Sequence, residues 1–206
     1  MEPARPPFSL ERALAGVIAV LVFVSLAVQT TINLEQDGSP LAAFGLLLRY
    51  FTIWSNLTAG LMLGWVALGG RAPGRAVFAL ATALSVVALV YHALLSPDHH
   101  PVGLDWWTNL AFHTLVPAAT IAWWIAFYRA DAFLWKSLTI VTPAPIAYTV
   151  FALIYGASSG FYPYFFLDQP ALGWSQLAIN IVGLALFFVA MGAALLGVRR
   201  LVSARA

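Results

Sequence analysis

Apolar residues run along this chain in long blocks, and polar residues gather where the blocks begin and end. Six blocks reach the roughly 20 residues that a helix needs to cross a bilayer. They cover about 10–30, 46–68, 76–95, 106–128, 136–156 and 174–197. The connections are short, so the pattern predicts one all-α domain over residues 1–206, a polytopic membrane protein with six transmembrane helices. The first block runs into Asn33-Leu34-Glu35-Gln36-Asp37-Gly38 without a small-residue cleavage site, which reads as a span and not as a signal peptide. The longest connection, 157–173, is rich in Tyr, Phe and Pro and is expected on the membrane surface or re-entering it. Neither an internal repeat nor a low-complexity segment interrupts the pattern.

Composition supports the membrane class. The 206 residues are 62% hydrophobic and 9% charged, against about 25% charged in a soluble domain. A surface so poor in charge does not suit water on all sides. The net charge of +2 carries no nucleic-acid signature, because the basic residues stand at block ends and form no stripe. With no cysteine there is no disulfide, no thiolate nucleophile and no zinc–thiolate site.

The basic residues also orient the spans. Arg5 and Arg12 precede the first block, Arg71 and Arg75 follow the second, Arg129 and Lys136 separate the fourth and fifth, and Arg199, Arg200 and Arg205 follow the sixth. The positive-inside rule makes that side cytoplasmic, with both termini inside. The opposite connections hold Glu35, Asp37, Asp98, Asp105 and Asp168. Arg49 alone among the basic residues falls on the outer side. It reads either as a snorkelling anchor or as a cation facing a polar cavity, near an anionic substrate group or a buried acid.

Polar residues inside the spans share one depth. At about 1.5 Å per helical residue, Thr52 lies roughly 9 Å and His113 roughly 12 Å below the outer ends of their spans. Asn109 falls one turn above His113, His92 lies near the outer end of the third span, and Asn180 is six positions into the sixth. The inner halves hold almost no comparable groups. Hydrocarbon offers such groups no water, so each needs a protein partner, and a polar set within a span is a functional-site candidate. Arg49, Thr52 and Asn56, at i, i+3 and i+7, are expected on one helix face with Ser55 at its border. Asn109 and His113, at i and i+4, form a second face. The two faces predict a shared cavity in the outer leaflet.

Plainer readings compete. A helical Thr or Ser commonly bonds back to the carbonyl four residues earlier, and an Asn commonly joins helices. Tyr50, Trp54, Trp106, Trp107 and Trp174 read as interfacial belt aromatics. Asp98, His99, His100 and Asp105 fit a solvated loop better than a metal site, and no metal or cofactor is expected. The functional reading is nucleophilic. A hydroxyl attacks a carbonyl when a base takes its proton and a donor stabilises the oxyanion. Thr52 would attack, His113 would be the base, and Asn56, Ser55, Asn109 or Arg49 would donate. No carboxylate lies in the band to orient the imidazole, so an amide or carbonyl would serve and give a dyad.

The same residues carry a family likeness. Arg49-Tyr50-Phe51-Thr52, Asn109-Leu110-Ala111-Phe112-His113-Thr114 with Pro117, and Gly160-Phe161-Tyr162-Pro163 resemble the androgen-induced and androgen-dependent multi-span membrane proteins and their predicted six-span bacterial relatives. The likeness covers most of the chain through span count and motif order. It implies a membrane threonine hydrolase of fatty acid esters of hydroxy fatty acids, in a bacterial inner membrane, with a lipid ester as substrate and membrane lipids as surroundings. It also implies catalytic roles for Thr52 and His113, and adds Tyr162 to the substrate-binding candidates Arg49, Ser55, Asn56, His92, Asn109 and Asn180. Two departures stand out. The vertebrate-type threonine follows Lys-aromatic-Leu where this chain has Arg-Tyr-Phe, and the proline after the histidine comes one position closer. Two other functions fit the composition: a b-type haem protein ligated by His92 and His113, and a lipid-binding or transport protein without catalysis.

Overall fold

The computed structural model describes residues 9–128 and 135–203, except for the side chains of 35–37, Trp135 and Ser203. Arg5, Arg129, Arg205 and the side chains of Glu35 and Asp37, used in the charge argument, lie outside the described residues. Within them the chain is all-helical, with no strand. The helices are α1 (Leu10–Asp37), α2 (Pro40–Leu47), α3 (Phe51–Ala67), α4 (Gly74–Val90), α5 (Leu104–Leu110), α6 (Val116–Phe127), α7 (Pro143–Ser159) and α8 (Gln169–Ser203).

Local chemistry sets several boundaries. Ser9 starts α1 by accepting from the Arg12 amide at 3.3 Å, and Ser39 starts α2 by accepting from the Ala42 amide at 3.2 Å, with Pro40 at the first turn. Gly173, at φ 71° and ψ 166°, breaks the first turn of α8 from the long helix that follows; only glycine takes such angles without strain. Two π-helical turns extend the rods. Tyr91–Leu95 continues α4, and Ala111–Leu115 joins α5 to α6.

Five helical stretches are long and apolar enough to cross a membrane: Leu10–Leu34, Gly74–Asp98, Leu104–Phe127, Lys136–Ser159 and Gln169–Val202. The second expected block behaves differently. It does not form one helix over 46–68, because α2 ends at Leu47 and the backbone is extended at Tyr50 (φ −104°, ψ 133°) before α3 begins. The 17 residues of α3 stand at the short limit for a span.

α1 and α3 pack closely. A Cβ on Gly60 would lie 2.9 Å from Val22 Cγ1, so a larger residue there would push the two helices or the Val22 side chain aside. The main core joins Ala15, Val22, Leu63, Phe78, Leu84, Val116, Trp124 and Leu196 from five helices. Away from it, Tyr148, Ala152, Tyr164, Leu167 and Leu177 form a smaller cluster between α7, α8 and their connecting loop.

Hydrogen bonds gather the basic residues at one end. Arg12 caps the end of α3 through Ala67 O (3.1 and 3.2 Å), Trp123 Nε1 donates to Glu11 O (2.8 Å), Tyr128 Oη donates to Ala72 O (3.2 Å), and Arg199 Nε donates to Tyr128 O. Cations suit the carbonyl-bearing ends of helices. The polar residues of interest lie at the opposite ends of these helices.

Candidate functional site

Thr52 is the second residue of α3, and this position decides what its hydroxyl does. The carbonyl four residues earlier belongs to Leu48, outside the helix, and it accepts from Trp54 Nε1 at 2.7 Å. Deeper in their helices, Thr30, Thr31, Thr58, Thr82, Ser85 and Thr149 all bond back to the fourth preceding carbonyl, at 2.7–2.9 Å. Thr52 Oγ1 instead meets His113 Nε2 at 3.4 Å, with the residue only 8% exposed. The depth reckoned for Thr52 from residue 46 is therefore revised: it stands at the start of a helix, not two turns into one.

His113 is oriented from behind. Its Nδ1–H donates to Asn109 O at 3.1 Å, which leaves Nε2 unprotonated and free to accept from Thr52. The tautomer follows from these partners. The Tyr91 ring stacks on the imidazole, with centroids 3.8 Å apart and planes 19° apart. The Tyr91 hydroxyl accepts from Asn109 Nδ2 at 2.6 Å and shares a hydrogen bond with His99 Nδ1 at 3.2 Å. Tyr91 is a site residue that the sequence reading missed, since an aromatic near the end of a span normally reads as a belt residue.

The π turn at Ala111–Leu115 and Pro117 together create the link between the two faces. Val116 N–H turns to Ala111 O, five residues back, and no longer serves Phe112 O. The next amide in a π pattern is residue 117, a proline without N–H. Asn56 Nδ2 supplies the missing donor, reaching Phe112 O at 3.1 Å and Thr52 O at 2.8 Å. Flipping this amide would set its oxygen against two carbonyls, so the assignment is fixed. Asn56 is wholly buried and ties the helix of Thr52 to the rod that bears the imidazole.

Thr52 and His113 open onto a cavity of about 510 Å³. Arg49, Tyr91, Asp98, His99, Asp105, Asn109 and Tyr164 also line it. Gln29 holds Asp105 Oδ1 at 3.0 Å and accepts from the Thr108 hydroxyl. Arg49 does not share a helix face with Thr52 and Asn56, because it lies in the turn between α2 and α3. Its Nε donates to Leu46 O at 3.0 Å, and its guanidinium sits 4.5 Å from the Phe161 ring centroid and 6.0 Å from that of Tyr155. No ion pair to Arg49 occurs among the described residues, so its charge is directed at aromatic faces and the cavity.

Tyr164 is the second residue that was missed. Its hydroxyl faces the Thr52 side chain and the first two amides of α3, those of Phe51 and Thr52. These amides have no helical acceptor. Burial pushes the Tyr164 phenol above its ordinary value, so at neutral pH it keeps its proton and remains a donor.

Several expected residues fall elsewhere. His92 is exposed on the other side of the rod, with Nε2 3.0 Å from Thr114 Oγ1, and it lines a different cavity from His113. The pair is not presented to a common space as two ligands of one haem would be. Tyr162 packs over Gly156, where a Cβ would come within 2.3 Å of its ring, and is absent from the Thr52 cavity. Asn180 secures the loop before α8, donating to Phe166 O at 3.0 Å and accepting from Gln176 at 2.9 Å. Ser55 Oγ is buried without a partner among the described residues and does not line the cavity. Of the two amide nitrogens expected as oxyanion donors, that of Asn56 is committed to two carbonyls, and that of Asn109 gives one of its two hydrogens to Tyr91. Trp54 is no belt residue: it packs on Tyr148 and Phe151 at 5.5 and 5.1 Å. No cluster of three or more His, Cys, Asp or Glu suited to a metal occurs among the described residues. Comparison with protein-family models, with curated proteins and with solved structures finds no match for this chain.

Proposed function

We propose that this chain is a membrane-embedded hydrolase of lipid esters, with Thr52 as nucleophile and His113 as its base. One observation carries the reading. Thr52 is released from back-bonding and faces an unprotonated imidazole nitrogen at 3.4 Å, and that imidazole is pinned on its other side by Asn109 O. Such a pair needs only slight tightening in a substrate complex to transfer a proton.

In the proposed reaction Thr52 Oγ1 attacks the ester carbonyl carbon as His113 Nε2 takes the hydroxyl proton. The Asn109 carbonyl stabilises the imidazolium that forms. The Tyr164 hydroxyl, which faces Thr52, is the donor for the negative oxygen. The tetrahedral adduct then collapses, the bond to the alcohol oxygen breaks, and the alcohol leaves with the proton from Nε2. Water attacks the acyl-threonine, gives a proton to Nε2, and releases the acid as Thr52 regains its hydrogen. Arg49 suits a carboxylate or other anionic group on the substrate.

The proposal includes the finer topology. α3 makes a sixth, short span, the basic end faces the cytoplasm, and the cavity opens to the outer leaflet. This arrangement agrees with the resemblance to the androgen-induced and androgen-dependent proteins and their bacterial relatives. A fluorophosphonate probe tests the chemistry on purified full-length protein. Labelling is expected in the wild type and lost in both Thr52→Ala and His113→Ala. Labelling that persists unchanged in both variants would sink the dyad.

A further inference from the structure

We infer that the ester is bound in a fixed direction, with its acyl chain in a second, apolar cavity on the other side of Thr52 and its alcohol part in the polar cavity. The inference rests on the hydrolase reading and adds the side of the nucleophile on which each half of the substrate lies.

Thr52, Tyr164 and Leu95 line both cavities, so Thr52 stands in the wall between them. The second cavity is a slot between α3, α4, α7 and α8, lined among others by Phe51, Val86, Val90, Tyr148, Leu184 and Phe188. It carries no ionisable group other than the two phenols. The polar cavity holds Arg49, Asp98, Asp105 and His99. A hydrocarbon chain placed there would strip water from charged groups with no compensation, whereas the slot is walled mainly by apolar side chains, and its Thr149 and Tyr148 hydroxyls already donate to backbone carbonyls.

Proton delivery gives the direction independently. The alcohol oxygen leaves as it receives the proton that His113 Nε2 took from Thr52. It must therefore depart on the histidine side. His113 lines the polar cavity and not the slot, so the alcohol half lies in the polar cavity and the acyl half points the other way. Two unrelated arguments, polarity and leaving-group protonation, thus give one orientation. The sizes differ as well, about 60 Å³ for the slot against about 510 Å³. At about 30 Å³ for a water-sized group, the slot takes only the first few carbons of the acyl chain, so selection by size falls there and the alcohol part is loosely constrained.

The test combines hydrolysis with crosslinking in full-length protein. A series of p-nitrophenyl esters from acetate to palmitate is assayed with wild type, Val90→Phe and Leu184→Ala. Filling the slot in Val90→Phe should lower kcat/KM about tenfold for each excluded methylene of the longer acyl chains and spare acetate. Leu184→Ala should shift the preference to longer chains. Equal effects on every ester in both variants would overturn the assignment. The second measurement uses Thr52→Ala and an uncharged fatty acid methyl ester with a diazirine on the third or fourth carbon of the acyl chain. Crosslinks on residues 86–90 and 184–188 support the slot, and crosslinks around Arg49 and Asp105 reject it. Should the wild type cleave no ester, the hydrolase reading fails, and the crosslinks still decide where the chain binds.

Discussion

His113 meets Thr52 across 3.4 Å, and His92 meets Thr114 across 3.0 Å. Both imidazoles belong to π-helical turns, both pair with a threonine on another element, and both contact the Tyr91 ring, one stacked and the other edge-on at 5.2 Å. By distance alone the second pair is the better one. What separates them is the surroundings. The first imidazole is fixed through Nδ1, its threonine is buried and released from back-bonding, and the two share a polar cavity with a cation. The second lies exposed on the outside of the rod, where two polar groups satisfy each other. A contact becomes a candidate for catalysis through what holds it and what it faces, because a hydroxyl in a fluctuating, solvated pair gains no fixed approach to a carbonyl.

The largest expected effect tests that contrast directly. In an ester hydrolysis assay, Thr52→Ala or His113→Ala should each lose about 10⁴-fold or more in kcat, and the double variant little beyond that, because a nucleophile and its base act as one unit. His92→Ala and Thr114→Ala should hydrolyse the same ester at essentially the wild-type rate. Additive losses, or a loss at His92 equal to that at His113, would remove the distinction between the pairs.

A smaller effect concerns the link between the faces. Asn56→Ala leaves Phe112 O buried with neither a helical nor a side-chain donor, at a cost of about 1–3 kcal/mol. It also frees α3 to shift against the histidine rod, so thermal stability in detergent and kcat should both fall. Ser55→Ala, one residue away, deletes a hydroxyl that has no partner among the described residues. It should leave stability unchanged or slightly raised. Equal stability losses in the two variants would show that Asn56 is ordinary interhelical glue.

Those two neighbours also illustrate what the sequence could convey. Apolar blocks locate helices because their period and length are written residue by residue. The pairing of Asn109 with His113 on one face was legible for the same reason, whereas the meeting of that face with Thr52, expected from a matched depth, occurs from the start of a helix and not from two turns inside one. The break at Leu48–Tyr50 was not, since nothing apolar is lost there and the span pattern runs straight across it. Arg49 therefore left the helix face on which i, i+3 spacing had put it. The π turns were equally hidden: only Pro117 hinted at a disturbed ladder, and its consequence, a carbonyl left for Asn56, needs the partner helix in place. Tyr91 escaped because a tyrosine near the end of a span has an ordinary interfacial use, and Tyr164 because it stands in an aromatic-rich connection expected at the membrane surface; only the fold turns these two inward.

The smallest effect asks how much the ring of Tyr91 does beyond its hydroxyl. The ring covers one face of His113, and the hydroxyl ties Asn109 to His99. Tyr91→Phe keeps the stacking and deletes the tie. The bond that orients His113 runs to the backbone of Asn109 and survives the change. The loss should therefore be that of a neutral hydrogen bond, about 0.5–1.5 kcal/mol, which lowers kcat by about tenfold at most and leaves KM unchanged. Tyr91→Ala removes the wall against which the imidazole is set and should fall well below Tyr91→Phe in kcat, again without a matching rise in KM. That split is the signature of a positioning residue, since Tyr91 acts through His113 and not on the substrate. A rise in KM with kcat preserved would place Tyr91 against the substrate instead, and equal losses in the two variants would assign the effect to the hydroxyl and not to the ring.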